Sequence, residues 1–245
     1  MSEVLVVIPA RWGSSRLPGK ALADIGGHPL VVRVAEKATA MTTATSVVVA
    51  TDDQRIVSAV TDAGFEAVLT GEHETGSDRI GEVITGRTSD IVVNLQGDEP
   101  LLDPADADAL VTALRDDPTA SIATLAHPFD SEAEWRDPNA VKVIVDDQGH
   151  ALLFTRAAVP GRHQNASGEP WRYAMRHVGI YAYRREALER FLVADPHPLE
   201  RLEGLEQLRA LAAGEKFRVV TTTQRAVGVD TPEDLERVRS MWNRS

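Results

Sequence analysis

A run of ten residues near the amino terminus, Arg11-Trp-Gly-Ser-Ser-Arg-Leu-Pro-Gly-Lys20, combines three cations, two glycines and two serine hydroxyls. Glycines let backbone N–H groups approach phosphate oxygens, and arginine and lysine neutralise phosphate charge. The composition therefore predicts a loop that binds a polyphosphate. Its spacing matches neither Gly-x-x-x-x-Gly-Lys-Ser/Thr nor Gly-x-Gly-x-x-Gly, the two common nucleotide-binding patterns. An exposed basic turn between a strand and a helix is the alternative.

Two acidic residues further along the chain are candidate metal ligands. Asp98 lies in Gln96-Gly-Asp-Glu-Pro100, directly after an apolar run, and Asp230 lies in Val229-Asp-Thr-Pro. A carboxylate just beyond a buried strand is placed to bind a hard cation such as Mg²⁺, which prefers oxygen ligands. Both residues can also be explained as helix N-caps. For Asp98 the two explanations are balanced, and for Asp230 taken alone the cap is favoured.

Other polar residues lie in the second half of the chain and carry little meaning individually. His177 comes before an apolar run in which Tyr181 and Tyr183 alternate with apolar residues. A histidine in such a place is more often structural than functional. Glu206 and Gln207 fall within a helical pattern and by themselves indicate a solvated helix face.

The composition limits the partners. The chain of 245 residues has 43% hydrophobic residues, a formal net charge of −11 and no cysteine. The acidic balance argues against nucleic acid, since phosphate backbones are bound by basic surfaces. The lack of cysteine excludes disulfides and thiol catalysis. No signal-peptide pattern and no apolar stretch of about 18 residues is present, so we expect a cytoplasmic protein with no membrane contact.

The elements that must position the candidate residues alternate between strand and helix. Four apolar runs have the length and composition of strands buried in a parallel sheet: Val4–Ile8, Thr45–Ala50, Phe65–Leu69 and Ile91–Leu95. Helical patterns, such as Pro29–Met41, separate them, which predicts βαβ units. Ligands bind beyond the carboxyl ends of parallel strands. Both the basic loop and the Gln96–Pro100 turn fall there, so we expect cations and a carboxylate at one site.

The second half of the chain reads as an elaboration of the same sheet, without a linker that would separate independent domains. We expect strands at Ser121–Ala126, Ala140–Val145, Ala151–Thr155, Val178–Tyr183 and around Phe217–Val220. A single amphipathic helix is predicted over Leu199–Leu211, and a polar loop over Pro160–Trp171.

Eight segments, in this order, resemble the CMP-Kdo synthetases, which are 3-deoxy-manno-octulosonate (Kdo) cytidylyltransferases: Ile8–Lys20, Val49–Asp52, His73–Arg79, Val93–Pro100, Pro138–Val143, Arg176–Arg184, Leu205–Arg209 and Gly228–Leu235. Each match alone is weak, but eight ordered matches over essentially the whole length are specific. The resemblance implies an α/β fold of the GT-A-like nucleotide-diphospho-sugar transferase type. Such a fold has a mostly parallel central sheet with helices on both faces. It also implies one domain over residues 1–245, usually in a homodimer.

The implied reaction transfers CMP from CTP to an anionic acceptor and releases diphosphate, with Mg²⁺ as cofactor. By resemblance the CTP phosphates are held by Arg11, Ser14, Arg16 and Lys20, and the cytidine by Arg79 and Gln96. Asp98 and Asp230 match the metal ligands, and catalysis falls to Lys20, Arg11 and Asp98. The acceptor-side positions are Arg156, His177, Tyr181, Glu206 and Gln207. Residues 1–115 would form the CTP-binding half, and residues 116–245 the acceptor-binding and dimerisation half.

Two departures from the family leave the acceptor open. Pro160-Gly161 stands where the family usually has Pro-Trp, and the loop from there to Arg176 is shorter than usual. Cytidylyltransferases of phosphonate biosynthesis, including those acting on phosphonoformate, resemble the same family and use a small polyanionic acceptor. The charge for such an acceptor would come from Arg156, Arg162, Arg172, Arg176 and His177.

Two alternatives of other classes are weaker. A GT-A glycosyltransferase would typically carry an Asp-x-Asp motif after the fourth strand, where this chain has Gly97-Asp98-Glu99. A non-catalytic nucleotide sensor is disfavoured because both candidate metal carboxylates, Asp98 and Asp230, are present.

Overall fold

The apolar run before the basic loop is a strand buried on both faces. The computed structural model describes residues 2–14, 16–225 and 227–243. In it β1 (Val4–Ala10) is buried at every position. It pairs in parallel with β4 (Ser46–Thr51) on one side and β6 (Ile91–Asn94) on the other, and β5 (Ala67–Leu69) continues the parallel sheet beyond β4. Burial on both faces explains why the sequence is continuously aliphatic.

These strands belong to the first of two units, which comprises residues 1–111 and 226–245. Its helices are α1 (Leu30–Thr39), α2 (Gln54–Asp62), α3 (Gly76–Ile84), α4 (Pro104–Asp116), whose last turn enters the second unit, and α9 (Pro232–Trp242). A short hairpin pairs β2 (Asp24–Ile25) with β3 (His28–Pro29), and a 3₁₀ turn spans Lys20–Leu22. The predicted βαβ alternation of the first hundred residues is confirmed.

The second unit, residues 112–225, is built on a mixed sheet. Here β7 (Ile122–Pro128) lies between two strands: β11 (Phe217–Thr221) is parallel to it, and β10 (Met175–Arg184) is antiparallel. On its other side β10 pairs with β8 (Lys142–Val145), which in turn pairs with β9 (Ala151–Thr155). The helices are α5 (Glu132–Arg136), α6 (Arg185–Val193), α7 (Pro198–Glu203) and α8 (Gln207–Ala212), and a 3₁₀ turn spans Pro170–Tyr173. No helix in the described part of the chain is long and apolar enough to cross a membrane.

The prediction of one helix over Leu199–Leu211 is wrong. Gly204 has φ of 61°, in the left-handed region, and it ends α7 so that a separate helix begins at Gln207. Glycine adopts this conformation without the steric cost that a Cβ atom brings. The break places Glu206 and Gln207 at the start of α8. A second difference concerns His177, which lies inside β10 and not before the strand.

Asp108 on α4 holds the segment that follows α1. Its carboxylate oxygens accept the backbone N–H and the hydroxyl of both Thr42 and Thr43, at 2.5–2.9 Å. Burial opposes ionisation of Asp108, but the hydrogen bonds from Thr43 and Thr42 outweigh it and lower the pKa of the carboxyl group. The ionised carboxylate therefore fixes the connection between α1 and β4.

Replacing Asp108 by alanine should lower the free energy of unfolding by about 2 kcal/mol, because donors of two threonines lose a charged acceptor. The folded-state pKa lies below the ordinary value of 3.8, so the contribution is present above pH 3.8 and is lost as the pH falls through the folded-state pKa. Urea unfolding at neutral pH and across the acid range measures it. Asp116→Ala, which removes an exposed carboxylate from the same helix, should change stability by less than about 0.5 kcal/mol. An unchanged Asp108→Ala protein would contradict this role.

Candidate active site

Lys20 joins two carboxylates that are far apart in the sequence. Its ammonium nitrogen lies 2.8 Å from Asp98 Oδ2 and 3.1 Å from Asp230 Oδ1, and only 18% of its side chain is exposed. Burial opposes the positive charge, but the attraction of Asp98 and then of Asp230 outweighs it and raises the pKa of Lys20. The ammonium group therefore stays charged and holds both carboxylates at one point. The structure thus brings together three predicted site residues.

Neither aspartate caps a helix. Helix α4 is preceded by Asp103, whose Oδ1 accepts the N–H of Ala105 at 3.0 Å. Helix α9 is capped by Thr231, whose hydroxyl accepts the N–H of Asp234. Asp98 lies in the turn after β6, and Asp230 immediately precedes the Thr231 cap. Both carboxylates are consequently directed to Lys20, which removes the simpler explanation that the sequence allowed.

The two segments that carry the aspartates are fastened by backbone contacts. The N–H of Val229 donates to the carbonyl of Asp98 at 2.9 Å. Gly97 lies so close to β1 that a Cβ atom there would be 2.7 Å from the carbonyl oxygen of Pro9. A Cβ atom at Gly228 would come within 3.2 Å of Glu99 Oε1. Glycine at position 97 is therefore what allows this turn to approach β1, while at position 228 a side chain would press on that of Glu99.

The basic loop reaches the same point through a second cation. Arg16 Nη2 lies 3.1 Å from Asp230 Oδ1, although both side chains are substantially exposed. Ser14 Oγ accepts the backbone N–H of Leu17 at 3.3 Å, which shapes the loop, and Arg11 is exposed. Ser15 lies outside the described residues. Arg16 and Lys20 thus converge on Asp230, while Arg11 and Ser14 line the same loop.

A tryptophan fixes the conformation of this loop. The guanidinium of Arg55 stacks over the Trp12 ring at 3.4 Å, a cation–π contact. Gly19, with φ of 70°, packs so closely that a Cβ atom would be 3.1 Å from the Trp12 ring. The backbone N–H of Trp12 donates to Asp52 Oδ1 at 3.2 Å. The sequence did not predict any of these contacts. The one signal for them was the position of Asp52 directly after β4, at the same edge of the sheet as the basic loop.

Arg79, which the resemblance assigns to the cytidine, is almost completely buried. Its guanidinium donates to Asp52 Oδ2 at 2.6 Å, to the hydroxyl of Thr70 and to the carbonyl of Gly71 at 3.3 Å. These contacts occupy it with groups of the protein, so in this conformation it supports the loops around α3. Gln96 is partly exposed, and its Nε2 donates to Asn94 Oδ1 at 3.0 Å.

The acceptor-side residues of the second unit cluster around the bulge in β10. The ring of His177 is 5.0 Å from that of Phe154 and 5.5 Å from that of Tyr181. Burial, reinforced by the charge of Glu206, raises the pKa of the Tyr181 hydroxyl. Gln207 is buried at the start of α8. The tyrosine therefore remains a neutral hydrogen-bonding group.

His177 is a neutral histidine in a defined tautomer. Burial lowers its pKa to about 3, so it is uncharged at neutral pH. The Thr124 hydroxyl donates to the carbonyl of Ile180 at 2.8 Å, and it lies 3.0 Å from His177 Nε2. Because its proton is used on the carbonyl, we assign the proton of the imidazole to Nε2, which donates to Thr124 Oγ1. Nδ1 is then the hydrogen-bond acceptor of the ring.

Arg156 is held by carbonyl oxygens from two segments. Its Nε donates to the carbonyl of Glu203 at 2.6 Å, and its Nη1 to the carbonyl of Pro138 at 3.1 Å. Two further arginines of the second unit are paired with acids: Arg176 with Glu134 at 2.6 Å, and Arg172 with Glu169 at 2.5 Å. The guanidinium of Arg162, the other predicted arginine, donates to the carbonyl of Ala166 at 3.1 Å. Among the residues described, the contacts of Arg156 and Arg162 therefore include no carboxylate on the guanidinium.

Comparison with known proteins identifies the family. The sequence pattern of the cytidylyltransferase family matches residues 5–217. The 3-deoxy-manno-octulosonate cytidylyltransferase of Anaeromyxobacter dehalogenans (strain 2CP-C) is 48% identical over 243 residues, which cover 98% of each chain. The chain belongs to this family. The enzyme of the same name from Escherichia coli is 44% identical over 242 residues, covering 98% of this chain and 96% of that one.

Solved structures agree with this assignment. A structure of CMP:2-keto-3-deoxy-manno-octonic acid synthetase in complex with CTP superposes with a TM-score of 0.94 at 43% identity, covering 99% of both chains. A 4-diphosphocytidyl-2C-methyl-D-erythritol synthase from Anaerococcus prevotii DSM 20548, 12% identical, shares the fold with a TM-score of 0.66. This cytidylyltransferase is thus a nucleotidyltransferase with the predicted nucleotide-diphospho-sugar transferase type of fold.

The carboxylates of this cytidylyltransferase suit a divalent cation. Asp98 and Asp230 both contact the single nitrogen of Lys20, so the two carboxylates face one common point. No group of three or more histidine, aspartate or glutamate side chains suited to a metal occurs within the described ranges. An ion held by these two residues would therefore complete its shell with water and phosphate oxygens, which is the ligand set typical of Mg²⁺.

The close packing of Gly97 can be tested directly. In Gly97→Ala the new methyl group would meet the backbone oxygen of Pro9 at 2.7 Å, so the turn that carries Asp98 must shift. We expect a loss of about 1–3 kcal/mol in the free energy of unfolding, measured in urea, together with a raised KM for CTP. Gly161→Ala is the control, because an added Cβ atom there meets nothing within 4 Å. Equal stability and equal KM in the two variants would contradict the steric argument.

Proposed function

We propose that this enzyme transfers CMP from CTP to Kdo, giving CMP-Kdo and diphosphate, with Mg²⁺ as its cofactor. The observation that carries the choice of acceptor is the charge pattern around the bulge of β10. One arginine, Arg156, accompanies a neutral His177, the neutral Tyr181 and the acidic Glu206. Such a set is suited to a sugar acid, which offers one carboxylate and several hydroxyl groups. Relatives that bear the name of this activity support the proposal.

The cations of the basic loop account for the CTP half of the reaction. A hydroxyl oxygen of the acceptor attacks the α-phosphorus and loses its proton to solvent. The bond between that phosphorus and the bridging oxygen breaks, and diphosphate leaves with increased negative charge. Lys20, Arg16 and Arg11 are placed on one loop to bind and neutralise this leaving group. Mg²⁺ held by Asp98 and Asp230 would orient the triphosphate and stabilise its developing charge.

On the acceptor side we assign Arg156 to the carboxylate of Kdo. Nδ1 of the neutral His177 accepts a hydrogen bond from a sugar hydroxyl, while the Tyr181 hydroxyl, Glu206 and Gln207 bind the remaining hydroxyl groups. A charged histidine is not needed for this arrangement, since hydroxyl groups are recognised by hydrogen bonds without net charge.

The alternative acceptor, a small phosphonate, is less well supported. A polyanion would require several uncompensated cations, but Arg172 and Arg176 are paired with glutamates and His177 is neutral. Of the five groups predicted to supply this charge, only the guanidinium groups of Arg156 and Arg162 bind carbonyl oxygens and no acid, among the described residues. The glycosyltransferase alternative has the weakest support, because Lys20 occupies a position suited to a free triphosphate.

We also propose a homodimer and a cytoplasmic location. The exposed Leu152 and Leu153 on β9 support the former, since exposed large apolar side chains suit an interface with a second copy. The cytoplasmic location is the one expected from the sequence. The assignment of residues 1–115 to CTP and of residues 116–245 to the acceptor and dimer is part of this proposal, except that Asp230 belongs with the CTP side because it pairs with Lys20 and Arg16.

Diphosphate release in a screen of acceptors tests the proposed reaction. With CTP and Mg²⁺ we expect robust release with Kdo and little with phosphonoformate, and mass spectrometry of the product should give CMP-Kdo. Chelation of the metal should abolish release, and added Mg²⁺ should restore it. Turnover of the phosphonate without turnover of Kdo would contradict the proposal.

Lys20→Ala should lower kcat by about a hundredfold to a thousandfold, the usual effect of losing one group that stabilises developing negative charge. Lys37→Ala, which removes a lysine from α1, is the control and should keep the wild-type kcat. Circular dichroism and thermal unfolding establish that both variants are folded. A folded Lys20→Ala enzyme of near wild-type rate would show that the basic loop does not bind the reacting phosphates.

A further inference from the structure

Lys142, near the amino end of β8, is a buried cation without a part in the reaction. None of its surface is exposed. Removing an ammonium group from water is costly unless hydrogen bonds replace its hydration. In keeping with this, burial lowers the pKa of Lys142, and the positive charge of Arg156 adds to the effect, although Asp137 and Glu203 oppose it. A methionine would fill similar space without this cost, so the charge calls for a reason other than packing.

The ammonium group joins two backbone segments. Its Nζ donates to the carbonyl of Asp137 at 2.6 Å and to the carbonyl of Arg156 at 2.9 Å. Asp137 follows α5, and Arg156 directly follows β9. A buried ammonium group binds carbonyl oxygens strongly, because no water competes for either partner there. One side chain thereby fixes the separation of these segments.

Both segments determine where the Arg156 guanidinium lies. Its Nη1 donates to the carbonyl of Pro138, the residue next to Asp137. The backbone of Arg156 makes two hydrogen bonds to side chains. Its carbonyl accepts from Lys142, and its N–H donates to Glu203 Oε2 at 2.5 Å. Lys142 therefore holds the backbone from which the arginine side chain starts, and it holds the residue next to Pro138, whose carbonyl that side chain contacts.

We propose that Lys142 is a positioning residue for the acceptor, acting through Arg156 without touching the substrate. The inference rests on the proposed function, in which Arg156 binds the carboxylate of Kdo. Preorganisation of a binding arginine lowers the entropic cost of binding. Loss of Lys142 should therefore weaken the binding of Kdo and leave the binding of CTP unchanged.

A double-mutant cycle separates this role from a general structural one. The proteins are the wild type, Lys142→Met, Arg156→Met and the double variant, with Lys216→Met as a control that removes an exposed lysine from the same unit. KM values for Kdo and for CTP are measured separately, and urea unfolding reports stability. We expect Lys142→Met to raise the KM for Kdo about tenfold, the effect of one lost interaction, and to leave the KM for CTP within about twofold.

The decisive result is the behaviour of the double variant. If Lys142 acts through Arg156, Lys142→Met adds nothing to the KM for Kdo once Arg156 is gone. Lys142→Gln, which keeps N–H donors on a shorter side chain, should lie between the wild type and Lys142→Met, and it takes the place of that variant in the cycle should the methionine protein not fold. Additive effects, an equal rise in both KM values or an unchanged KM for Kdo would overturn the proposal. Absence of Kdo turnover by the wild type would instead contradict the proposed function.

Discussion

The first unit depends on one ammonium group shared by two carboxylates. Lys20 is contributed by the end of the basic loop, Asp98 by the turn after β6 and Asp230 by the segment before α9. Without the cation, two negative charges would lie close together, which is unfavourable in a partly buried place. With it, three segments separated by up to 210 positions meet at a single nitrogen. The ion pair thus closes this part of the fold and brings together the three residues to which the proposed function assigns the triphosphate and the metal ion.

In the same unit a second set of contacts fixes the positions of Lys20 and Asp230 relative to each other. The chain leaves Lys20 towards the β2–β3 hairpin, and it leaves Asp230 into α9. These two continuations pack together, because a Cβ atom at Gly26 would be 2.7 Å from the Trp242 ring, and Arg239 Nε donates to the carbonyl of Asp24 at 2.8 Å. The position of Asp230 is therefore determined from both ends of its segment, by the backbone bond to the Asp98 turn and by the docking of α9.

The sequence predicted those features that local patterns encode. Buried strands such as β1 follow from uninterrupted aliphatic runs, and the convergence of Lys20 and Asp98 follows from the rule that parallel strands present their carboxyl ends at one edge. It could not decide whether Asp98 and Asp230 cap helices, because a capping aspartate and a binding aspartate have the same local sequence. It also missed the end of α7 at Gly204, and the Trp12–Arg55 contact, which depends on residues 43 positions apart in the chain.

Three buried or partly buried cations, Arg79, Lys142 and Lys20, differ in the kind of group that each one contacts. Arg79 donates to Asp52, a threonine and a carbonyl, and Lys142 donates to two carbonyls, so both bind groups of the protein. The partners of Lys20 are different, since 28% of the Asp98 side chain and 47% of the Asp230 side chain are exposed. On the proposed function, phosphate oxygens would pair with the lysine while the carboxylates would hold the metal ion, so each charge of the ion pair would gain a new partner of opposite sign. The exchange would involve Lys20 and its two partly exposed carboxylates, while Lys142 keeps the surrounding backbone fixed.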